Sequence, residues 1–198
     1  MNVVESNIIK DVLIIKNARH YDNRGCFSEL FRFEDFKKVT GLPIKQMNLS
    51  ESKPWVFRGM HAQKKHPQGK IVYCVSGHLI DFLVDCRPES PTFGKHLSFY
   101  LCGDNDTAIY IPPRFAHGFV TIETGDNKDK CPSLTKFLYL CTDTYHNDDE
   151  IGFRFDTHVD LDIPQYSTNG EKIDLIISDK DKNLPSWEEF KEMIAKEQ

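Results

Sequence analysis

No stretch of the sequence approaches the roughly 18 consecutive apolar residues that a bilayer-spanning helix requires. The six cysteines (Cys26, Cys74, Cys86, Cys102, Cys131 and Cys141) include no Cys-x-x-Cys pair, which excludes a zinc knuckle or a dithiol redox motif. No His-x-His occurs, so a metal site would have to be assembled from scattered residues, and none is expected. The glycine signatures of dinucleotide folds, P-loops and serine hydrolases are missing as well, and with them the phosphate cradle or nucleophile elbow each supplies. Basic residues are in deficit, 25 against 30 acidic, for a net charge of -5. Nucleic-acid binding through phosphate contacts is therefore disfavoured, although a local basic patch is compatible with that total. There is no internal repeat, low-complexity tract or Pro/Ser-rich linker.

Of the 198 residues, 39% are apolar and 28% charged, enough to build a core in one domain of ordinary size spanning 1–198. Fourteen Phe and seven Tyr favour a sheet-rich interior. Short strand-like runs recur at 12–16, 25–33, 70–75, 79–85, 96–101, 108–111, 119–122 and 135–142, bounded by Gly, Pro, Asp or Asn. Strands spaced about ten residues apart predict an all-β antiparallel sandwich or barrel. Ser76-Gly77 reads as a hairpin turn, and 88–94 and 125–132 as loops. A short helix is expected over 34–40, stopped by Gly41 and Pro43, and a helical tail over about 185–198 with Ser186 as N-cap and Glu189 as capping-box partner. Four cysteines fall in the apolar runs, where a thiol behaves as a small hydrophobe. With charges interrupting the apolar stretch MNVVESNIIKDVLII, this predicts reduced cysteines and a cytoplasmic protein without membrane contact.

Two clusters could carry chemistry. Arg58–Lys70 (RGMHAQKKHPQGK) places two histidines among four cations. A histidine acts as a base near neutral pH without special help, and a neighbouring cation can steady a developing oxyanion. The plainer alternative is a solvated basic loop. Tyr110–Phe119 (YIPPRFAHGF) presents His117 among aromatics, either as a pocket residue or as a satisfied core histidine. A barrel can bring both clusters over one cavity. With no Ser or Cys nucleophile evident beside His61, proton transfer is the simplest chemistry available.

Seven segments in order resemble the dTDP-4-dehydrorhamnose 3,5-epimerase family. Residues 22–29 (DNRGCFSE) resemble its D-x-R-G-x-F-x-E, 46–48 its Q-x-N, and 58–63 (RGMHAQ) with 68–70 (QGK) its R-G-[LM]-H-x-Q and Q-G-K. Residues 85–94 (DCRPESPTFG), 112–119, 137–145 and 178–181 (SDKD) match the remaining motifs in sequence order. The resemblance implies a cupin jelly-roll barrel, usually a homodimer with the N-terminal strands in the dimer contact, using neither metal nor nicotinamide nor other cofactor. It implies a proton abstracted beside the C4 ketone of a nucleotide-linked 4-keto-6-deoxy sugar and returned to the opposite face at C3, C5 or both.

Residue by residue, the resemblance makes His61 the base and Asp181 its carboxylate partner. Lys70 stands near the enolate oxygen, and Tyr139 is the acid on the other face, in a site expected to lower its proton affinity. His117 and Tyr145 support the pocket. Arg58, Gln46 and Asn48 hold the diphosphate end, and Arg24, Phe27 and Glu29 form a nucleotide-binding arm that a neighbouring subunit could supply. Taken alone, Lys70 could be an edge lysine, Tyr139 a core residue and Asp181 part of a solvated turn. The sequence departs from the family at Ala62, Arg114, Asp162-Ile163-Pro164 and the long segment 124–134. These departures leave the nucleotide, the sugar and the number of inverted carbons open. The alternatives are an epimerase of one carbon only and a nucleotide-sugar-binding cupin without turnover; a ketoisomerase and a metal-dependent oxygenase fit the motifs less well.

Overall fold

The computed structural model describes residues 2–123, 134–158, 161–167 and 169–196; the expected loop 125–132, the longer segment around it and Cys131 fall outside or largely outside them. Strands β1 (Asn2–Glu5), β2 (Leu13–Lys16), β3 (Arg19–Asp22) and β4 (Gly25–Ser28) come first, followed by helix α1 (Phe33–Thr40). Then come β5 (Gln46–Ser52), β6 (Phe57–Gln63), β7 (Lys70–Ser76), β8 (His78–Asp85), β9 (His96–Cys102), β10 (Thr107–Ile111), β11 (Phe115–Thr121) and β12 (Thr135–Cys141). A short β13 (Glu150–Gly152) and helices α2 (Asp179–Lys182) and α3 (Trp187–Ala195) complete the order.

A six-stranded sheet runs β1-β2-β10-β7-β12-β5 and a five-stranded sheet β13-β6-β11-β8-β9; β3 and β4 form a separate ribbon. Every strand pairing is antiparallel. The two sheets face each other as a jelly roll of the cupin type, as expected. Side-chain alternation explains the long apolar runs. Val72 of β7 and Leu83 of β8 meet in the core between the sheets with Ile109 and Phe137. Their sequence neighbours Ile71 and Tyr73 face a second core under α1, and Phe82 and Val84 a third under α3. Strands covered on both faces lose the polar alternation of a half-buried strand.

The helices follow their signals. Ser186 Oγ accepts from the Glu189 N–H while the Glu189 carboxylate accepts from the Ser186 N–H, closing the capping box. Trp187 and Phe190, three residues apart on one helical face, then pack on Phe153 with ring centroids 4.7 and 5.2 Å away. Helix α1 ends at Gly41 with φ of 74°, a left-handed cap suited to glycine.

Three expectations are corrected. Ser76-Gly77 is no hairpin turn: β7 and β8 lie in different sheets, and the chain crosses between them there. The Thr135 side chain and backbone pack so close to Gly77 that a β-carbon would clash. The run 25–33 is a strand only to Ser28; Phe31 packs on Phe33 and on Phe36 of α1, and Phe33 opens that helix. Of the cluster 58–70, whose plainer alternative is a solvated basic loop, residues 58–63 form a strand, and 64–69, with Lys64 and Lys65, connect β6 to β7. The described cysteines are free thiols, Cys26 exposed and Cys74, Cys86, Cys102 and Cys141 buried. Among the described residues no helix is long and apolar enough to cross a membrane.

One irregularity interrupts the five-stranded sheet. Between β6 and β11 the register moves from His61↔His117 to Arg58↔Phe119, so β6 carries one extra residue. A bulge re-aims side chains and lets residues of opposite parity share a face. Gly59 inside it has φ of 120° and lies so close to its neighbour that a β-carbon would come 2.6 Å from Gly118 Cα. Gly59→Ala should therefore destabilise the protein by about 2–3 kcal/mol through strain and overpacking. A thermal melt should show Tm lowered by roughly 5–10 °C; an unchanged melt would contradict the close approach.

Candidate active site

A cavity of about 680 Å³ opens between the two sheets. The five-stranded sheet contributes Arg58 and His61 from β6, both turned inward by the bulge, and His117 from β11. The six-stranded sheet contributes Lys70 from β7, Tyr139 from β12 and Asn48 and Ser50 from β5. Asp181, on the four-residue helix α2 whose N-cap is Ser178, closes the wall.

His61 Nε2 lies 2.8 Å from Asp181 Oδ1, and the Gly59 N–H donates to Asp181 Oδ2 at 3.2 Å. Asp181 is only 6% exposed. Its burial alone would raise the carboxyl pKa, but the hydrogen bond and charge of His61 and the Gly59 and Ser178 bonds outweigh it and hold it below the usual carboxylate range. A carboxylate bound to Nε2 fixes that nitrogen as the protonated one and leaves the lone pair on Nδ1. Glu150 Oε1 stands 3.6 Å from the same Nε2. Burial pushes Glu150 up, yet the Lys180 ammonium at 2.7 Å and the Tyr145 hydroxyl at 2.6 Å hold it down and ionised. Two carboxylates thus face Nε2 of His61.

Lys70 lies in an interior strand, between β10 and β12, so it is not an edge lysine. Desolvation lowers its pKa, opposed by Cys141, Asp81 and Glu150. His117 Nε2 is 2.6 Å from Asp81 Oδ1, in the fully buried middle of β8. Burial pushes the Asp81 carboxyl up and the His117 imidazole down, the latter helped by the Lys70 and His61 charges. Tyr139 packs edge-on to His117, ring centroids 6.1 Å apart, and its hydroxyl is 2.8 Å from Ser50 Oγ. The expectation of a site that lowers its proton affinity is reversed: burial raises it well above an ordinary phenol, with Ser50 and the Arg58 charge only partly opposing. Tyr139 is therefore a protonated donor at any physiological pH.

Tyr145 sits in a segment gripped by three glutamines. Gln46 accepts from the Tyr145 N–H at 2.7 Å, and Gln63 accepts from the His146 N–H at 2.8 Å. Gln63 also donates to the Thr144 carbonyl, and Gln68 to that of Asp143 at 2.7 Å. Gln46 thus acts one step behind the cavity wall, while Asn48, Arg58 and Tyr145 line it. Arg24, Phe27 and Glu29 are not brought to the cavity of their own chain. Arg24 pairs with Asp22, Glu29 pairs with Arg32, and Phe27 is 69% exposed. Asp81, Glu150, Lys180 and Ser50 join the site without having been expected from the sequence. Asp81 alone carries a signal, a carboxylate inside the apolar run HLIDFLVD. Among the described residues no group of three or more His, Cys, Asp or Glu could hold a metal ion.

Because the folded pKa of Asp181 lies below its unfolded value of 3.8, its stabilisation is complete above that value and is lost as pH falls through the folded one. Asp181→Asn should cost about 1.5–3 kcal/mol at pH 7. The Tm gap between wild type and variant should close as melts are taken from pH 5 down past 3.8; a gap independent of pH would refute the ionised pairing.

A family model described as dTDP-4-dehydrorhamnose 3,5-epimerase matches residues 6–189. The Escherichia coli (strain K12) dTDP-4-dehydrorhamnose 3,5-epimerase is 36% identical over 194 residues, 96% of each chain. The crystal structure of a dTDP-6-deoxy-D-glucose-3,5-epimerase from Legionella pneumophila, in complex with dTDP-4-keto-L-rhamnose, superposes with a TM-score of 0.81 at 31% identity, covering 93% of this chain and 92% of that one. NovW from Streptomyces spheroides, a 4-keto-6-deoxy sugar epimerase, gives a TM-score of 0.83 at 26% identity over 98% and 90% of the two chains. With a cavity that sets an imidazole–carboxylate pair against a buried phenol, and relatives that extend along nearly its whole length, this chain belongs to the dTDP-4-dehydrorhamnose 3,5-epimerase family.

Proposed function

We propose that the protein epimerises a nucleoside-diphosphate-linked 4-keto-6-deoxy sugar of the dTDP-4-dehydro-6-deoxyglucose type, inverting C3, C5 or both. The observation that carries this reading is the placement of His61 and Tyr139 on opposing sheets of one cavity. Inverting a carbon needs a base on one face and an acid on the other. His61 Nδ1 takes the proton beside the ketone, while Asp181 holds the ring through Nε2. The negative charge moves to the ketone oxygen, where Lys70 and His117 meet it. Tyr139 gives its proton to the opposite face. One proton leaves and one returns with no net oxidation, so the chemistry calls for no nicotinamide. Arg58 is the fork for the diphosphate, beside Asn48.

The exposed ribbon with Arg24 and Phe27, followed by Glu29, is read as the nucleotide end of a neighbouring copy's site, in a homodimer. The apolar residues Met47 and Leu49 exposed on edge strand β5 support an association through that side.

In heavy water, wild-type protein should place deuterium at C3, C5 or both of a suitable 4-keto nucleotide sugar, and His61→Asn should lower that exchange at least about 100-fold without loss of folding. Tyr139→Phe should spare exchange more than complete inversion; equal loss of both would remove its assigned role. Light scattering should give twice the 22.9 kDa chain mass. Arg24→Ala should raise KM roughly 10-fold with kcat little changed, as expected for a group that binds ground and transition states alike.

A further inference from the structure

A phenol that protonates carbon faces two problems that the residues assigned so far leave open. Its hydrogen must point into the cavity before the step, and its oxygen carries a full negative charge afterwards, in a place where burial disfavours that charge. Among the described residues, the hydrogen bond recorded at Tyr139 Oη is to Ser50 Oγ, at 2.8 Å. Ser50 reaches it from the next strand: β5 and β12 pair Ser50 with Phe137 and Asn48 with Tyr139, so Ser50 and Tyr139 are diagonal neighbours on one face. Both line the cavity.

The 2.8 Å contact admits either hydroxyl as donor. If the phenol donated to Ser50, its hydrogen would point away from the sugar. We propose that Ser50 is the positioning residue for the acid: it donates its hydroxyl hydrogen to Tyr139 Oη, aims the phenolic hydrogen into the cavity, and holds the oxygen by the same bond once that hydrogen has moved to carbon. In that step the Tyr139 O–H bond breaks, the enolate electron pair forms the new C–H bond and the ketone is restored. The charge passes from the enolate oxygen to the phenolate, which keeps the Ser50 hydrogen bond beside the Arg58 charge until solvent returns the proton. Charge-assisted donation of this kind is stronger than the neutral bond it replaces, so Ser50 favours the transition state over the resting state.

The role of Ser50 presupposes the proposed epimerisation, and one set of assays separates the two. The full-length chain is compared as wild type, Ser50→Ala, Ser50→Thr, Tyr139→Phe and the Ser50→Ala/Tyr139→Phe double variant, on a 4-keto-6-deoxy nucleotide sugar in heavy water. Inversion and solvent exchange are read separately. Ser50→Ala should lose about 100-fold in inversion, the scale for removing one donor to a developing oxyanion, and lose less in exchange. Ser50→Thr should recover most of the loss. In the Tyr139→Phe background, Ser50→Ala should cost nothing further, because the bond it removes is already gone. Inversion at the wild-type rate in Ser50→Ala, or an equal loss in both backgrounds, would overturn the role of Ser50 and leave the epimerase reading standing. Wild type that neither exchanges nor inverts any such sugar would overturn both.

Discussion

The 2.8 Å hydrogen bond between His61 and Asp181 joins parts of the chain 120 residues apart. It settles three things together. It fixes which imidazole nitrogen carries the hydrogen, it docks α2 against β6, and it brings the apolar residues Ile176 and Ile177 over the cavity with it. The bond forms only because the bulge at Gly59 turns His61 inward and because Ser178 caps the short helix so that Asp181 faces the strand. A carboxylate this buried is tolerable only when paired, so the tail and the strand depend on each other for a folded site.

The architecture also sets the imidazole of His61 apart from the phenol of Tyr139, the proposed base and acid. His61 and His117 hang from one sheet and Lys70 and Tyr139 from the other, and facing sheets stand about 10 Å apart. In the proposed reaction a sugar ring between them would meet the imidazole and the phenol from opposite sides, with the buried Asp81–His117 pair and Lys70 beside it. The pKa directions agree with this division. The carboxylates beside His61 are held ionised by their hydrogen-bond partners, whereas Tyr139 and Asp81 are pushed by burial toward their neutral forms.

The sequence is most legible where burial alone decides the residue. Apolar β7, β8, β9 and β12, the Gly41 stop and the Ser186 capping box lie close to where the pattern puts them. Two of the strands that build the site, β5 (QMNLSES) and β6 (FRGMHAQ), are less legible, because polar groups facing a cavity replace some of the apolar residues that mark a strand. Ordered motifs locate their chemistry where periodicity does not. Neither kind of signal reveals Ser50 or Glu150, whose importance lies in contacts made only after folding. The turn at Ser76-Gly77 misleads for a related reason: a tight glycine corner looks the same whether the next strand folds back or crosses to the other sheet.

The glutamine grip on residues 143–146 has an evolutionary consequence. Gln46, Gln63 and Gln68 hold that segment by its main chain, through amide and carbonyl groups that every non-proline residue possesses. The side chains there can be exchanged without loosening the segment, so ligand preference at Tyr145 can drift while the main-chain path is inherited, at the cost of its hydroxyl's hold on Glu150.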